Sequence, residues 1–412
     1  MFPAGWFVAA VWAAVFPFIT APESHRLWGA CACVGYLCAA VAALSARPCG
    51  RAVSVGCAFG GAVVVPLVLL FLTGAAQSEV GVVERSGLLT LHQATPYLAD
   101  PRSVAEVTPY LPGMAVFGLP RAVLGDSGPP SALLGDARLW CAAAFLGCLW
   151  AACRASRLPV GGPSASDDGG PSRLAVGAFV ASPVVALPLC VSGVDLPLTG
   201  LLFLGLVYAA RHRPVAAGLA LAAACSLKWT AWPAIAVAVS LLAHRGGSRE
   251  ALRGAAVAVG GTVLLVLPSA LLAPGPLVQQ VFAFPTGRGP WETPAASPLP
   301  GRLLADLGPA GWYTAVGLLL AGGLVVAASL LLRPPSGLVP AADRLAVGLC
   351  VAFLLAPAGR FGYLALPAGL AVLARLSAGP RRAESPRGRV VRGAQFPRPL
   401  PVPAAWSVWS AR

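Results

Sequence analysis

Apolar residues run along this chain in long blocks, each ended by a short polar break, from the N-terminus to Ala378. Most blocks approach the ~20 residues that cross ~30 Å of hydrocarbon at ~1.5 Å per residue. The pattern predicts about twelve helical spans, near 3–20, 27–45, 52–75, 138–153, 174–191 and 196–210, then 214–227, 229–243, 254–273, 311–332, 343–358 and 362–378. The two short runs that meet at Lys228 read either as separate spans or as one long helix, and that choice sets the parity of everything downstream.

Two connections, 76–137 and 274–310, are too long to be simple turns. In the first, Val80, Val83, Gly87, Leu88 and Leu91 recur at helical spacing, which predicts a helix lying in the membrane interface and broken at Pro96. The tetrapeptide TPYL then occurs twice, at Thr95–Leu98 and Thr108–Leu111. Proline fixes the backbone there, and tyrosine suits a headgroup-level position.

Composition sets the class. The chain is 57% hydrophobic and 11% charged, with mean hydropathy +0.77, whereas a soluble surface needs roughly a quarter of its residues charged. The expected fold is an all-α polytopic membrane protein. Its net charge of +14 does not gather into one basic patch, so nucleic acid is not an expected partner. The arginines sit in short loops instead.

With the N-terminus in the cytoplasm, the inside loops carry Arg47 and Arg51, then Arg154, Arg157 and Arg173, then Arg211 and Arg213, then Arg245, Arg249, Arg253 and Arg333. Arg-dense inside loops then alternate with outside loops of mixed sign, as the positive-inside rule requires. This parity favours two spans meeting at Lys228, puts both long loops outside, and predicts a multi-pass cell-membrane protein. The first apolar run lacks a basic leading region and reads as a retained helix. Residues 1–378 form the expected membrane domain. GGPSASDDGGPSR reads as a flexible inside loop, and 379–412, rich in Pro and Arg, as a disordered basic cytoplasmic tail. The eleven cysteines lie almost entirely in apolar runs and show neither zinc-site spacing nor a disulfide framework.

Four polar sites collect on the predicted outer side. Glu79 stands where the third span leaves the membrane. Lys228 is the single lysine of the chain, within an apolar stretch where a cation is expensive; it reads as functional or as a side chain snorkelling to headgroups. Asp195, before Pro197, reads as a helix cap, a functional acid, or both. Arg360 and Tyr363 mark the connection between the last two spans, where an outside arginine suits a phosphate. Acids and cations together suit removal of a hydroxyl proton while an anionic group leaves.

These residues carry a family resemblance. Glu79-Val80-Gly81-Val82, then Thr95-Pro96-Tyr97 and Tyr110-Leu111-Pro112, resemble the first outer loop of glycosyltransferase family 87, actinobacterial polyprenol-phosphate-dependent enzymes of the GT-C type. SGVDLPL through Lys228 to Pro233 continues the likeness, and SPLPGRLL and APAGRFGYLALP follow it more loosely, so most of the chain from Ala52 to Ala378 is covered. The resemblance implies a GT-C-like bundle that moves a sugar, mannose by family precedent, from a polyprenyl-phosphate donor to a lipid or glycan acceptor on the outer face. Glu79 takes the place of the general base, where the family usually has Asp; Glu84 and Asp100 are the alternative acids. Lys228 and Arg360 would hold the donor phosphate. Glu84, His92, Tyr97, Tyr110, Asp195 and Tyr363 are the expected substrate contacts. No outside Asp-x-Asp pair is present, so no metal and no cofactor beyond the donor is expected. The oligomeric state is left open. Two other functions fit the same membrane class: a lipid-linked sugar transporter or flippase, and a catalytically inactive membrane subunit.

Overall fold

Proline and glycine decide where the apolar runs become separate helices. The computed structural model describes residues 2–45, 49–125, 128–157 and 173–378, so the expectations for the tail and for GGPSASDDGGPSR fall outside the described residues. The first helices are α1 Phe2–Ile19, α2 Glu23–Ala43 and α3 Gly50–Thr73, followed by α4 Ser78–Gln93 and α5 Pro112–Leu124 in the first long loop. Next come α6 Ala137–Arg157, α7 Arg173–Val180, α8 Pro183–Val191, α9 Leu196–Ala210, α10 Pro214–Leu227 and α11 Pro233–Gly246. The last are α12 Ser248–Leu272, α13 Pro309–Leu332, α14 Leu338–Leu355 and α15 Ala365–Ala378. Pro stands in the first turn of α8, α9, α10, α11 and α13, where its missing N–H costs nothing and its fixed φ is already helical.

The protein is a multi-pass helical membrane protein. Each of the twelve expected runs contains a helix, but among the described residues seven helical segments are long and apolar enough to cross a membrane, or eight if α7 and α8, bent by 55° at their break, count as one span. For α9 the shortfall has a structural reason. Helix α9 is only 15 residues long and almost all of them are buried, so its neighbours surround it and lipid does not. Such a helix is apolar on every side. Helices α12 and α13 lie at the other extreme: their apolar stretches are only 11% buried, which places them at the periphery. Lys228 does separate two helices, since its backbone is extended at φ −147° and ψ 138° between α10 and α11.

The first long loop is folded. Helix α4 packs on α5 at Gly87 and Gly118, where a Cβ on Gly87 would stand 2.1 Å from the Gly118 carbonyl carbon. Only a residue without a side chain permits that approach. Val80, Val82, Val83 and Ser86 are buried on this face, whereas Leu88 and Leu91 stay exposed. The buried face is therefore narrower than the apolar pattern, because α5 covers only part of α4. Tyr97, buried at 2% exposure, packs with Leu111, Ala273, Leu277 and Val281, and Gln280 pins both TPYL segments. Its Oε1 accepts from Thr108 N–H at 2.9 Å and its Nε2 donates to the Leu98 carbonyl at 2.7 Å. A buried amide with both ends bonded ties the two segments to one point.

Candidate active site

The chain ends of several helices meet at one end of the bundle, and a buried guanidinium ties them there. Arg138 makes a two-pronged pair with Asp136, Nε to Oδ1 at 3.0 Å and Nη2 to Oδ2 at 2.7 Å. Its remaining Nη1 donates to the Ala75 carbonyl at 3.0 Å and to the Cys190 carbonyl at 3.2 Å. Every prong of the fork is used, which is the condition under which a buried charge is tolerated. The exits of α3 and α8 are joined in this way. Gln77 N–H adds a 2.9 Å bond to the Val191 carbonyl, so Glu79 and Asp195 begin their helices from one fixed base.

Asp195 sits at the entry of α9, just after Gly193, whose φ of +70° turns the chain. Its carboxylate does not cap the helix. It accepts from the Lys228 ammonium instead. Leu111 N–H donates to the Leu227 carbonyl at 3.0 Å, which brings the second TPYL segment alongside, and the Lys228 ammonium lies 4.9 Å from the Tyr110 ring centre. The Tyr363 ring centre is 5.8 Å from the same ammonium. Lys228 therefore points inward between an acid and two aromatic faces, and does not snorkel outward.

The second acid is met from the far end of the sequence. Arg360 Nη1 donates to Glu79 Oε1, a contact between residues 281 positions apart. The second long loop holds that arginine in place: Ala296 and Gly359 form a parallel bridge, and Ser297 N–H donates to the Gly359 carbonyl at 3.0 Å. The other Glu79 oxygen, Oε2, is buried and receives no hydrogen bond from the described residues. Side-chain exposures of 25% for Arg360 and 18% for Glu79 leave the pair partly exposed, although Oε2 itself is covered.

Two acid–cation pairs and two tyrosines thus form one cluster. Burial pushes the Tyr110 hydroxyl well above the usual phenol value, and the negative charges of Glu79 and Asp195 push it further, so this phenol is a hydrogen-bond donor at any physiological pH. Burial works against the charge on Lys228, but Asp195, with Tyr363 and Glu79, outweighs it and holds the pKa above the ordinary lysine value. Arg360 follows the same pattern: burial opposes its charge and Glu79 more than restores it.

Of the expected site residues, Glu79, Tyr110, Asp195, Lys228, Arg360 and Tyr363 come together. Three stand elsewhere. Glu84 accepts from Ala137 N–H at 3.1 Å and from Arg121 Nε at 3.3 Å, so it fastens α4 to α5 and α6; burial raises its pKa despite both bonds. His92 is exposed in the last turn of α4. Tyr97 acts at one remove, donating its hydroxyl to the Tyr110 carbonyl at 2.9 Å. Three features escaped the sequence reading. His25, at the start of α2, lies within electrostatic reach of both Glu79 and Arg360. Loop parity places it on the same side as Glu79, and that signal could have found it. The Arg138 fork pairs locally with Asp136, but the Ala75 and Cys190 carbonyls it joins, and the partners of Gln280, are remote backbone groups that no local pattern announces.

No curated protein matches the chain. Among solved structures, ArnT from Cupriavidus metallidurans bound to undecaprenyl phosphate is similar, with a TM-score of 0.45 and 15% identity, covering 76% of this chain and 59% of that one. The model of glycosyltransferase family 87 matches residues 108–357. That segment contains Tyr110, Asp195 and Lys228, while Glu79 and Arg360 lie on either side of it and reach the cluster through the fold. With more than half of its length matched, the chain belongs to glycosyltransferase family 87.

Proposed function

We propose that the protein transfers a hexosyl group, mannosyl by family precedent, from a polyprenyl-phosphate donor to a hydroxyl of a lipid or glycan acceptor at the extracytoplasmic face of the cell membrane. One observation carries the reading. In a family of glycosyltransferases, a carboxylate has one oxygen held by Arg360 and the other buried and unbonded, beside a lysine fixed by a second acid.

The unbonded Glu79 oxygen is the group that accepts the acceptor's hydroxyl proton as its oxygen attacks the anomeric carbon. The bond from that carbon to the phosphate oxygen breaks, and its electron pair leaves with the polyprenyl phosphate. Inversion at the anomeric carbon follows from a single displacement. Charge balances within the cluster. Two acids and two cations sum to zero, and once Glu79 holds the proton, Arg360 loses its counter-charge as the departing phosphate gains one. Arg360 and Lys228 then face that phosphate, and Tyr110 donates to a nearby oxygen. Preorganised cations of this kind contribute most where water is excluded.

The test is transfer itself. Membranes containing the protein are incubated with radiolabelled polyprenyl-phosphate mannose, and label should appear in a lipid or glycan product and be lost with Glu79→Gln. Counterflow of labelled lipid-linked sugar into proteoliposomes, with no new glycosidic bond, would replace this reading by a transporter.

A further inference from the structure

At the opposite end of the bundle from Glu79, the ends of α6, α9, α11 and α15 and the start of α14 leave a cavity of about 360 Å³. Arg211 and Arg245 line it with Ser156 and Ser377, against an apolar wall that includes Val207 and Leu338. This arrangement does not serve the proposed transfer, whose groups all lie at the other end.

The two arginines are positioned by backbone groups. Arg211 donates to the Ser156 carbonyl, and Arg245 Nη1 donates to the Ala210 carbonyl at 2.7 Å. Neither pairs with a carboxylate among the described residues. The nearby acid Glu250 is engaged with His212, its Oε2 3.1 Å from the ring Nδ1. Burial lowers the pKa of Arg211, and the like charges of Arg213 and Arg245 add to that effect, so positive charge is concentrated without an internal counter-ion among the described residues. Carbonyl contacts orient a guanidinium and leave its charge unneutralised. The remaining N–H groups, two serine hydroxyls and an apolar wall match an amphiphilic anion better than a bare ion. Basic pockets between membrane helices are a known way of holding phosphate headgroups.

We infer that this cavity binds a phosphate group, supplied by an anionic phospholipid headgroup or by free phosphate, at a site separate from the transfer cluster. Arg211 and Arg245 take the phosphate oxygens, and Ser156 and Ser377 offer hydroxyls beside them.

The full-length protein is purified and reconstituted in phosphatidylcholine nanodiscs, with phosphatidylglycerol or inorganic phosphate added in separate arms. Bound lipid is counted by native mass spectrometry and thermal stability is followed in parallel. The expected result is retention of phosphatidylglycerol over phosphatidylcholine, weakened about 5-fold by loss of either arginine and about 25-fold in Arg211→Ala/Arg245→Ala. Stabilisation by phosphatidylglycerol alone assigns the phosphate to lipid, and equal stabilisation by inorganic phosphate assigns it to the free ion; both support the site. Wild-type protein that retains the two lipids equally and ignores inorganic phosphate overturns it whatever the variants do. So does unchanged anion binding in a folded double variant. Arg211→Lys, which keeps charge but loses the fork, should fall between wild type and Arg211→Ala.

Discussion

Arg360 donates to Glu79 across 281 residues of sequence, and this pair decides how the first carboxylate behaves. A carboxylate bonded to a guanidinium through one oxygen presents the other oxygen in a fixed direction. Removal of the base is worth roughly 10²–10⁴ in rate for general-base chemistry. Glu79→Gln should therefore reduce turnover by at least about 10² while leaving donor binding intact. Glu79→Asp should also lose rate, by about 10-fold or more, because misplacement near 1 Å is costly. Transfer of labelled mannose, with donor retention measured separately, distinguishes the two. Full activity in Glu79→Gln would remove Glu79 as the base.

Lys228 and Asp195 form the second pair, with side-chain exposures of 16% and 34%. Lys228→Met strands the carboxylate in a sheltered place, and the cost should be greater than that of removing both charges together. The expected order of thermal stability is wild type, then Asp195→Asn/Lys228→Met, then Lys228→Met. Both variants should show weakened donor binding. A double variant less stable than the lysine variant would argue against coupling of the pair.

The pH dependence follows from the direction of the Lys228 shift. Its folded pKa lies above the ordinary lysine value of 10.5, so the stability it gains from Asp195 is fully present below that value and is lost only as pH rises through the higher folded pKa. An alkaline limb in the rate profile below pH 10 should therefore come from other groups, and Lys228→Arg should leave that part of the profile in place. A limb near pH 9 that disappears in Lys228→Arg would contradict the assignment.

Tyr97 offers a test of positioning. Its hydroxyl holds the Tyr110 carbonyl at 2.9 Å, and Tyr97→Phe removes that single bond while keeping the buried ring. About 1 kcal/mol of stability should be lost. Turnover should fall with donor binding unchanged, because Tyr110 loses its support. A stability loss without any change in turnover would assign Tyr97 to the fold alone.

Topology can be read at His92, which is exposed at the end of α4. A cysteine placed there should react with a membrane-impermeant maleimide added to intact cells, above the labelling of the parent protein. Labelling only after the membrane is opened would invert the orientation and move the cluster to the cytoplasmic face.

The sequence by itself determined the membrane class and the helix positions, because apolar run length and proline placement are local properties that follow from the bilayer's thickness and the backbone's needs. It also singled out Glu79, Asp195, Lys228 and Arg360 as candidate charges, with snorkelling or capping as the other readings of Lys228 and Asp195, and loop parity set all four at one end. What it left undecided is pairing. Whether Asp195 caps α9 or holds Lys228 depends on where the α10–α11 break falls in space. Whether Glu84 or Glu79 faces the cluster depends on how α5 lies against α4 at Gly87 and Gly118. The Nη1 end of the Arg138 fork, the Gln280 clamp and the bridge at Gly359 bind backbone groups far away in the chain, so no local pattern encodes them. Helix length shows the same division. A span facing lipid must match the bilayer, but α9, shielded by its neighbours, is free of that constraint, and only packing reveals which helices are which.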